Sequence, residues 1–111
     1  DGVAWDQANL DGFGDMLNGM ASSIAVFDSA LYVGVQNTTT GAEVWRSSDG
    51  DAWDQANVDG IGDANNLAAQ SMAVFSNALY AGTNNLITGA EVWRTGGVIL
   101  SQQLYLPLIV Q

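Results

Sequence analysis

The stretch GAEVWRSSDGDAW, residues 41–53, joins two copies of one 48-residue unit in a chain of 111 residues. Aligning residues 1–48 with residues 49–96 without a gap gives 30 identical positions. Parts of the joining stretch recur at the two ends of this alignment, as DGVAW at the start and as TGAEVWR near the finish. A tandem period between about 40 and 50 residues is typical of β-propellers and of helical arrays.

Strand signals decide between these two classes. The segment SIAVF, residues 23–27, is apolar on both faces, which is typical of a strand buried on both sides. Two-residue polar links, Asp28-Ser29 and Ser76-Asn77, predict hairpins over residues 23–35 and 71–83. Gly, Asn and Asp interrupt every stretch that is long enough for three helical turns, so the helical arrays are disfavoured.

Two further strands complete each unit. EVWRS, residues 43–47, is predicted as a third strand that ends in a turn at SSDG. AWDQANV, residues 52–58, is a fourth, and the polar loop DGIGDANN follows it. Four short strands in 48 residues predict an all-β fold of two four-stranded propeller blades. Repeat 1 then spans residues 1–48, repeat 2 spans residues 49–96, and a strand-like tail spans residues 97–111.

These segments resemble blades of bacterial β-propellers with sialidase-like Asp-box turns, and the resemblance covers about residues 1–96. In that family the box reads Ser-x-Asp-x-Gly-x-x-Trp and lies between the third and fourth strands of a blade. Ser47, Asp49, Gly50 and Trp53 match it, with one residue missing between Asp and Gly. The box is a fold motif, so the resemblance implies the blade and not sialidase activity.

Each residue of the box has a physical role in such a turn. The Asp49 carboxylate can accept hydrogen bonds from backbone N–H groups of its own turn. Gly50 permits a positive φ. Trp53 supplies a large ring that is expected to be buried between layers.

The strand order of the family implies that each repeat is out of phase with a blade. Repeat 1 starts at an outermost strand, residues 3–10, and repeat 2 ends at a third strand, residues 91–95. We therefore expect residues 3–10 of one molecule to complete the blade of another, so that the partner is the protein itself. Such a head-to-tail interface closes into a ring or propagates as a filament. The alternative is that the chain is a fragment of a longer propeller.

A six-bladed trimer is the first expectation for a ring, and an eight-bladed tetramer is the next. The strand exchange is expected to involve residues at both ends of the chain: Val3, Trp5, Gln7, Asn9, Glu91, Trp93, Thr95, Leu104, Leu106 and Ile109.

The tail VILSQQLYLPLIVQ breaks the period of the repeat. Residues 98–100 and 104–110 are strand-like, and Pro107 removes one backbone donor, which favours an edge position. The tail could fold back in place of the missing fourth strand of repeat 2, or it could add as a strand to a neighbour. The simpler alternative is a C-terminal strand that seals the apolar flank of its own subunit.

Composition limits the function classes. The chain is 48% apolar, which is core-forming, and its formal net charge is −10. Such a charge disfavours nucleic acid and anionic membrane surfaces as partners. No segment reaches the roughly 18 apolar residues of a membrane-spanning helix, so membrane insertion is not expected. The chain begins with Asp rather than Met, and we expect an extracellular protein after signal-peptide removal.

The repeated Asp-Gly-x-Gly-Asp segment is the best cation candidate, because calcium prefers several oxygen ligands from a flexible loop. Its carboxylates are Asp11, Asp15, Asp59 and Asp63. The spacing does not match known calcium loops, so a turn capped by its own carboxylates is favoured. No cofactor is expected otherwise.

Catalysis is disfavoured by the residue inventory. The chain has no His, no Cys and no Lys, so the common general bases and nucleophiles are missing. The resembled sialidases need an arginine cluster, whereas only Arg46 and Arg94 occur. Both arginines are expected to pair with a carboxylate or to stack on Trp. The chain is therefore predicted to be a non-enzyme.

A lectin-like module that binds glycans is the alternative to a structural subunit. The aromatic candidates for stacking on sugar rings are Trp5, Trp45, Trp53, Trp93, Tyr32 and Tyr80, although core packing is the simpler explanation. The amide candidates are Gln36, Asn37, Asn84 and Asn85 in the loop before the third strand. Asn37 is also a formal N-glycosylation acceptor, because the sequence there reads Asn-Thr-Thr.

Overall fold

The computed structural model describes residues 2–96, and residues 1 and 97–111 lie outside the described part. The described chain is all-β, with two short 3₁₀ helices, Asp11–Gly14 and Asp59–Gly62. The seven strands are β1 Met20–Phe27, β2 Ala30–Gln36, β3 Glu43–Ser47, β4 Asp54–Gln55, β5 Ala68–Phe75, β6 Ala78–Asn84 and β7 Val92–Arg94.

The strands form one open antiparallel sheet, which does not close on itself. β1, β2, β3 and β4 pair in chain order, and so do β5, β6 and β7. A single bridge, Gln36 opposite Ala68, connects the two groups through β2 and β5. The prediction of an all-β fold is confirmed, and the closed propeller stays a prediction.

Both predicted hairpins form on the predicted two-residue links. Asp28 and Ser29 have φ values of +51° and +63°, and Ser76 and Asn77 have nearly the same values. Positive φ at both central residues defines the type I′ turn, whose twist matches that of paired strands. Short polar side chains, which tolerate this conformation better than branched ones, therefore set the register of β1 with β2 and of β5 with β6.

Several of the other strands are shorter than the sequence patterns predict. β3 has the bounds that were predicted, but the fourth strand shrinks to the two residues of β4 and the third strand of repeat 2 to β7. Residues 3–10 form no strand in the described part of the chain. The strand predicted there was expected to pair with another copy, and a strand is defined by its pairing, so this strand stays a prediction.

The prediction that β1 is buried on both faces is also wrong. Ile24 is 64% exposed and Val26 is 67% exposed. An apolar pattern predicts burial only where another layer covers the strand, and nothing in the described residues covers this face of β1.

The core lies between the two repeats rather than inside either one. Ala42, Val44 and Ala69 form its buried cluster, and Tyr32 and Met72 pack against them. Two of these residues come from repeat 2 and three from repeat 1. The repeats are therefore held together by a shared apolar layer, so neither repeat owns a complete core.

Candidate functional site

The contact between residues 34–44 of repeat 1 and residues 56–72 of repeat 2 is called the internal joint. Ala42 lies at its centre and is fully buried. Its N–H donates to the carbonyl of Asn66 at 2.7 Å, and its carbonyl accepts from the N–H of Gly60 at 2.7 Å. These backbone bonds, formed outside the regular strand ladder, fix the position of one repeat relative to the next.

Asn57 extends the hydrogen bonding beyond the short strand β4. Its side-chain oxygen accepts from the N–H of Val44 at 2.8 Å, and its side-chain nitrogen donates to the carbonyl of Ala42 at 3.1 Å. The N–H of Ala56 also donates to the carbonyl of Val44 at 2.7 Å. The amide of Asn57 thus offers β3 the donor and acceptor that a longer partner strand would supply.

Two glycines let the backbones of the repeats approach each other. A Cβ on Gly41 would lie 2.7 Å from the Cα of Gly60, and Gly41 also has a φ of +100°. A Cβ on Gly34 would lie 2.6 Å from the Cβ of Ala69. Both distances are too short for a real side chain, so the joint requires glycine at these positions.

A buried polar cluster lies beside the joint. The side-chain nitrogen of Asn18 donates to Oε1 of Glu43 at 2.9 Å, and the indole N–H of Trp45 donates to the same oxygen at 3.0 Å. Asn37 in turn donates to the side-chain oxygen of Asn18 at 2.9 Å. Repeat 2 has the same arrangement 48 residues later. Each donor offsets part of the cost of burying a carboxylate.

The turn between β3 and β4 is held by its own side chains. Oδ1 of Asp49 accepts from the backbone N–H of Asp51 at 2.8 Å and of Ala52 at 3.0 Å. Ser47 Oγ donates to the same carboxylate at 3.1 Å and accepts from the N–H of Gly50 at 2.7 Å. Gly50 has a φ of +86°.

These bonds act on the charge of the turn. The backbone N–H groups of Ala52 and Asp51, followed by the Ser47 hydroxyl, lower the pKa of Asp49 below its ordinary value of 3.8. Hydrogen bonds to the charged form of a carboxyl favour that form. The turn is therefore most stable with Asp49 ionised.

Trp53 follows this turn and contacts the start of the chain. Its indole N–H donates to the carbonyl of Ala8 at 2.8 Å. Its ring meets the edge of Phe13, with centroids 5.3 Å apart, and Phe13 also stacks on Trp45 at 5.0 Å. The Phe13 ring therefore fixes two of the four tryptophans by aromatic packing.

The residues of the internal joint have counterparts 48 positions away on two surfaces of the described chain. The exit face comprises the counterparts of the repeat 1 side: Gly82, Asn85, Gly89, Ala90 and Val92. The entry face comprises the counterparts of the repeat 2 side: Ala8, Asn9, Gly12, Asn18, Ala21 and Ile24. Every residue of the two faces is identical to its counterpart in the joint except Ile24, which corresponds to Met72.

Burial separates the joint from the two faces. Val44 is 8% exposed in the joint, whereas Val92 on the exit face is 75% exposed. Ala42 is fully buried, whereas Ala90 is exposed. A Cβ added to Gly89 would meet no described atom within 4 Å, although Gly89 has the same φ as Gly41, about +101°. Apart from Asn18 and Asn85, which are buried in their own repeats, the counterparts of the joint residues are exposed or half-buried among the described residues.

The entry face carries a groove that corresponds to the seam of the internal joint. The seam holds a cavity of about 220 Å³ whose lining includes Val44 and Met72. The groove on the entry face has a volume of about 310 Å³, and its lining includes Asn9, Phe13 and Ile24. In the seam, Val44 contributes one wall from the preceding repeat. The described lining of the groove includes no residue equivalent to Val44.

The structure places the residues predicted for strand exchange in different environments. Val3 and Trp5 are 78% and 89% exposed. Gln7 donates to Asp11 at 2.7 Å, the same contact that Gln55 makes with Asp59.

At the other end of the described chain, Glu91 accepts from the indole N–H of Trp93 at 2.8 Å, and the Thr95 hydroxyl oxygen accepts from the N–H of Leu79 at 3.0 Å. Leu104, Leu106 and Ile109 lie outside the described residues.

Two of the amides considered for sugar binding are occupied by the fold. Asn37 is fully buried and Asn85 is 4% exposed, and each caps its own loop through its side-chain oxygen. The side-chain nitrogen of Asn37 is bonded to Asn18, so the folded chain has no room for a glycan there. Arg46 packs on Tyr32, with its Nε 3.2 Å from the hydroxyl, rather than on a carboxylate or Trp as expected.

The calcium candidates act as caps of their loops. Asp15 accepts from the N–H of Leu17 at 2.9 Å, and Asp63 accepts from the N–H of Asn65 at 2.9 Å. Asp11 and Asp59 accept from the side chains of Gln7 and Gln55. Within residues 2–96, no three acidic side chains come together as a metal site would need.

Sequence reasoning missed several residues that build the joint. Asn57, Gly41, Gly34 and the pair Asn18 and Asn66 were not singled out as structural residues. The available signal was their identity at equivalent positions of both repeats. Hydrogen bonds from a loop side chain to a distant backbone leave no periodic pattern in the sequence, and this is why strand periodicity did not reveal them.

Comparison with known proteins adds no assignment: no family model, curated protein or solved structure matches the chain. Among the described residues, no helix has the length and apolar character to cross a bilayer. The function must therefore be argued from the joint and the two faces.

Proposed function

We propose that the protein is a non-enzymatic, extracellular structural subunit that assembles head to tail with further copies of itself. In this proposal each repeat is a propeller blade, and the exit face of one copy receives the entry face of the next. The observation that carries the proposal is that the two faces are the exposed halves of an interface that the chain already builds once. A second copy supplies each missing half.

The internal joint predicts the bonds between copies. Moving each internal contact by 48 residues places the N–H of Gly12 against the carbonyl of Ala90, and the N–H of Ala90 against the carbonyl of Asn18. Asn9 then accepts from the N–H of Val92 and donates to the carbonyl of Ala90, as Asn57 does within the chain. These are backbone groups and identical side chains, so the new joint requires no new chemistry.

The same transfer gives residues 3–10 a partner. Within the chain, Trp45 lies opposite Gln55 and Arg46 lies opposite Asp54. Between copies, Trp93 would lie opposite Gln7, and Arg94 opposite Asp6. Strand addition of this kind pairs the edge of β7 that has no partner among residues 2–96.

Burial of apolar surface supplies the driving force. Val92 would pack on Ile24 as Val44 packs on Met72, and both are largely exposed in the single chain. Burying one such side chain contributes about 1.5–3 kcal/mol. Because the two faces differ from each other, the interface is heterologous, and it closes into a ring or extends into a filament according to the rotation per copy.

A complementation experiment tests the head-to-tail interface. Val92→Asp blocks the exit face and leaves the entry face intact, and Ile24→Asp does the reverse. Each variant alone is expected to be monomeric by light scattering after size exclusion. An equimolar mixture is expected to form dimers and nothing larger, because it contains one intact face of each kind that can pair.

Val26→Asp is the matched control. Val26 is 67% exposed and its counterpart Val74 is 48% exposed, so this position lies outside the joint in both repeats. The control variant is expected to assemble as the unmodified chain does. A monodisperse monomer for the unmodified chain, or assembly that survives both blocking substitutions, would contradict the proposal.

Cross-linking checks the register, because the chain contains no cysteine of its own. A mixture of Asp6→Cys and Arg94→Cys chains is expected to form interchain disulfides, since directly opposed strand residues have Cα atoms within bridging distance. Ala4→Cys replaces Asp6→Cys as the register control. Equal yields of disulfide from Ala4→Cys and Asp6→Cys, each mixed with Arg94→Cys, would show that the strands do not pair as proposed.

A further inference from the structure

At four loop positions the two repeats differ in the size and polarity of the side chain, and the difference follows one rule. Thr38 and Thr39 of repeat 1 become Leu86 and Ile87 in repeat 2. Ala64 and Asn65 of repeat 2 correspond to Met16 and Leu17 in repeat 1. In both cases the member of the pair that lies at the internal joint is small or polar, and the member next to an exposed face is large and apolar.

The geometry of the internal joint brings these two loops together. Asn37 precedes the two threonines, and its N–H donates to the carbonyl of Leu67 at 2.9 Å. Gly41 follows them, and a Cβ there would lie 3.1 Å from the Cα of Ala64. The loop of Thr38 and Thr39 is thus fixed at both ends against the loop that contains Ala64 and Asn65.

The equivalent placement between copies brings the apolar members together. Leu86 and Ile87 lie between Asn85 and Gly89 of the exit face, and Met16 and Leu17 lie between Gly12 and Asn18 of the entry face. When the two faces meet as the internal joint does, the two apolar pairs become neighbours across the interface.

Among the described residues, these side chains are exposed, although Leu17 also lines a shallow groove of its own repeat. Met16 is 90% exposed, Leu86 is 84%, Ile87 is 74% and Leu17 is 51%. The hairpin links make a useful contrast, since Asp28-Ser29 and Ser76-Asn77 also differ between the repeats but stay polar. The apolar departures therefore occur where two loops would meet and are absent from these turns at the hairpin tips.

We infer that Met16 and Leu17 of one copy and Leu86 and Ile87 of the adjacent copy form an apolar clasp at the intermolecular joint. The inference rests on the proposed function. It states that each apolar pair contacts a second copy of this chain. The physical reason is the missing covalent link. The turn at residues 47–52 connects β3 to β4 within the chain, whereas association of two chains loses translational and rotational freedom. Burial of four apolar side chains offsets this loss.

Repeat-restoring variants test the clasp. The entry variant carries Met16→Ala and Leu17→Asn, and the exit variant carries Leu86→Thr and Ile87→Thr. Each introduces the residues that the chain itself uses at the equivalent positions, so the monomer fold is expected to be retained. Sedimentation equilibrium on the full-length chain is expected to show association about tenfold or more weaker for each variant.

The combined variant separates a clasp from general loss of apolar surface. If the two pairs contact each other, changing the second pair adds little once the first is gone, so the combined effect is smaller than the product of the separate effects. Val26→Thr with Val74→Thr is the control, because both valines are exposed outside the joint. This control is expected to leave association unchanged.

Proximity is measured independently by cysteine cross-linking, which does not depend on the energy of the clasp. Chains with Leu17→Cys are mixed with chains carrying Ile87→Cys and treated with a short bismaleimide. A 17–87 product between chains is expected to exceed the 17–17 and 87–87 products.

The outcomes distinguish the clasp from the function on which it rests. Unchanged association of the repeat-restoring variants, with Val92→Asp still monomeric, overturns the clasp and leaves head-to-tail assembly standing. A 17–87 yield no higher than the homotypic yields also overturns the clasp. A monomeric unmodified chain overturns both.

Discussion

Val44 and Val92 are the same residue in the same sequence context, EVWR, but their environments are opposite. Val44 is 8% exposed because repeat 2 covers it, and Val92 is 75% exposed on the exit face. The difference shows that the local sequence of a strand does not determine whether its side chains are buried. Burial depends on whether a neighbouring repeat is present.

The largest effect is expected from the pair Gly34 and Gly82. Gly34→Ala would put a Cβ 2.6 Å from the Cβ of Ala69 and 2.7 Å from its carbonyl oxygen. The repeats would have to separate, and we expect a loss of about 3 kcal/mol in the free energy of unfolding. Gly82→Ala meets only the Ser71 hydroxyl, at 3.0 Å among the described residues, so a change of at most about 1 kcal/mol is expected.

Urea unfolding followed by Trp fluorescence measures both variants at a concentration where the chain is monomeric. Gly82→Ala adds a further test, because its Cβ would meet Ala21 of the next copy as Gly34 meets Ala69. It should therefore fold normally and fail to assemble. Equal destabilisation by the two substitutions would remove the distinction between the joint and the faces.

The pair Asn57 and Asn9 is expected to give a smaller effect. Asn57→Ala removes the acceptor for the N–H of Val44 and one of the donors to the carbonyl of Ala42. We expect this loss to lower the free energy of unfolding by about 1–3 kcal/mol. Asn9→Ala is expected to change the stability of the monomer by no more than about 0.5 kcal/mol. The same change should weaken association about tenfold, since Asn9 has its proposed partners in another chain.

Chemical denaturation of both variants at low concentration, together with sedimentation of Asn9→Ala at high concentration, measures the two effects separately. Asn9→Asp is a useful companion, since it keeps the acceptor for the Val92 N–H and loses the donor to the Ala90 carbonyl. An Asn9→Ala chain that assembles as tightly as the unmodified protein would argue against the transferred hydrogen bonds.

The smallest effect is expected in the pH dependence of stability. It should distinguish the internal joint from the proposed joint between two copies. The pKa of Asp49 is lowered in the folded chain by the N–H groups of Ala52 and Asp51 and by the Ser47 hydroxyl. The folded state therefore binds this proton less readily than the unfolded chain does. The stabilisation is present above the ordinary pKa of 3.8 and is lost as the pH falls through the folded value.

Asp49→Asn is accordingly expected to be less stable than the unmodified chain at neutral pH, with the difference shrinking as the pH falls below 3.8. Thermal melts across this range measure it, and Asp51→Asn controls for the change in net charge. Only the internal joint contains this turn, so the association of two copies should not show the Asp49 dependence. The same difference in stability between Asp49→Asn and the unmodified chain at every pH would contradict the stabilising role of ionised Asp49.

Local sequence patterns predicted the elements that are stabilised locally. The type I′ hairpins at Asp28-Ser29 and Ser76-Asn77 and the bounds of β3 were predictable, because turn chemistry and apolar runs act over a few residues. The strand at residues 3–10 stays a prediction, because its expected partner lies in another copy of the chain. The buried polar cluster of Asn18, Asn37 and Glu43 was also missed, since it joins residues that are distant along the chain.

The sequence by itself determined the all-β class, the 48-residue period and the identity of the residues on both sides of the joint. These follow from local propensity and from duplication, which can be read one residue at a time. Only the tertiary structure decided which copy of each residue is buried, where Asn57 makes its bonds and why Gly41 must be glycine. Those facts depend on the approach of two repeats through space, and this approach buries Val44 and leaves Val92 exposed.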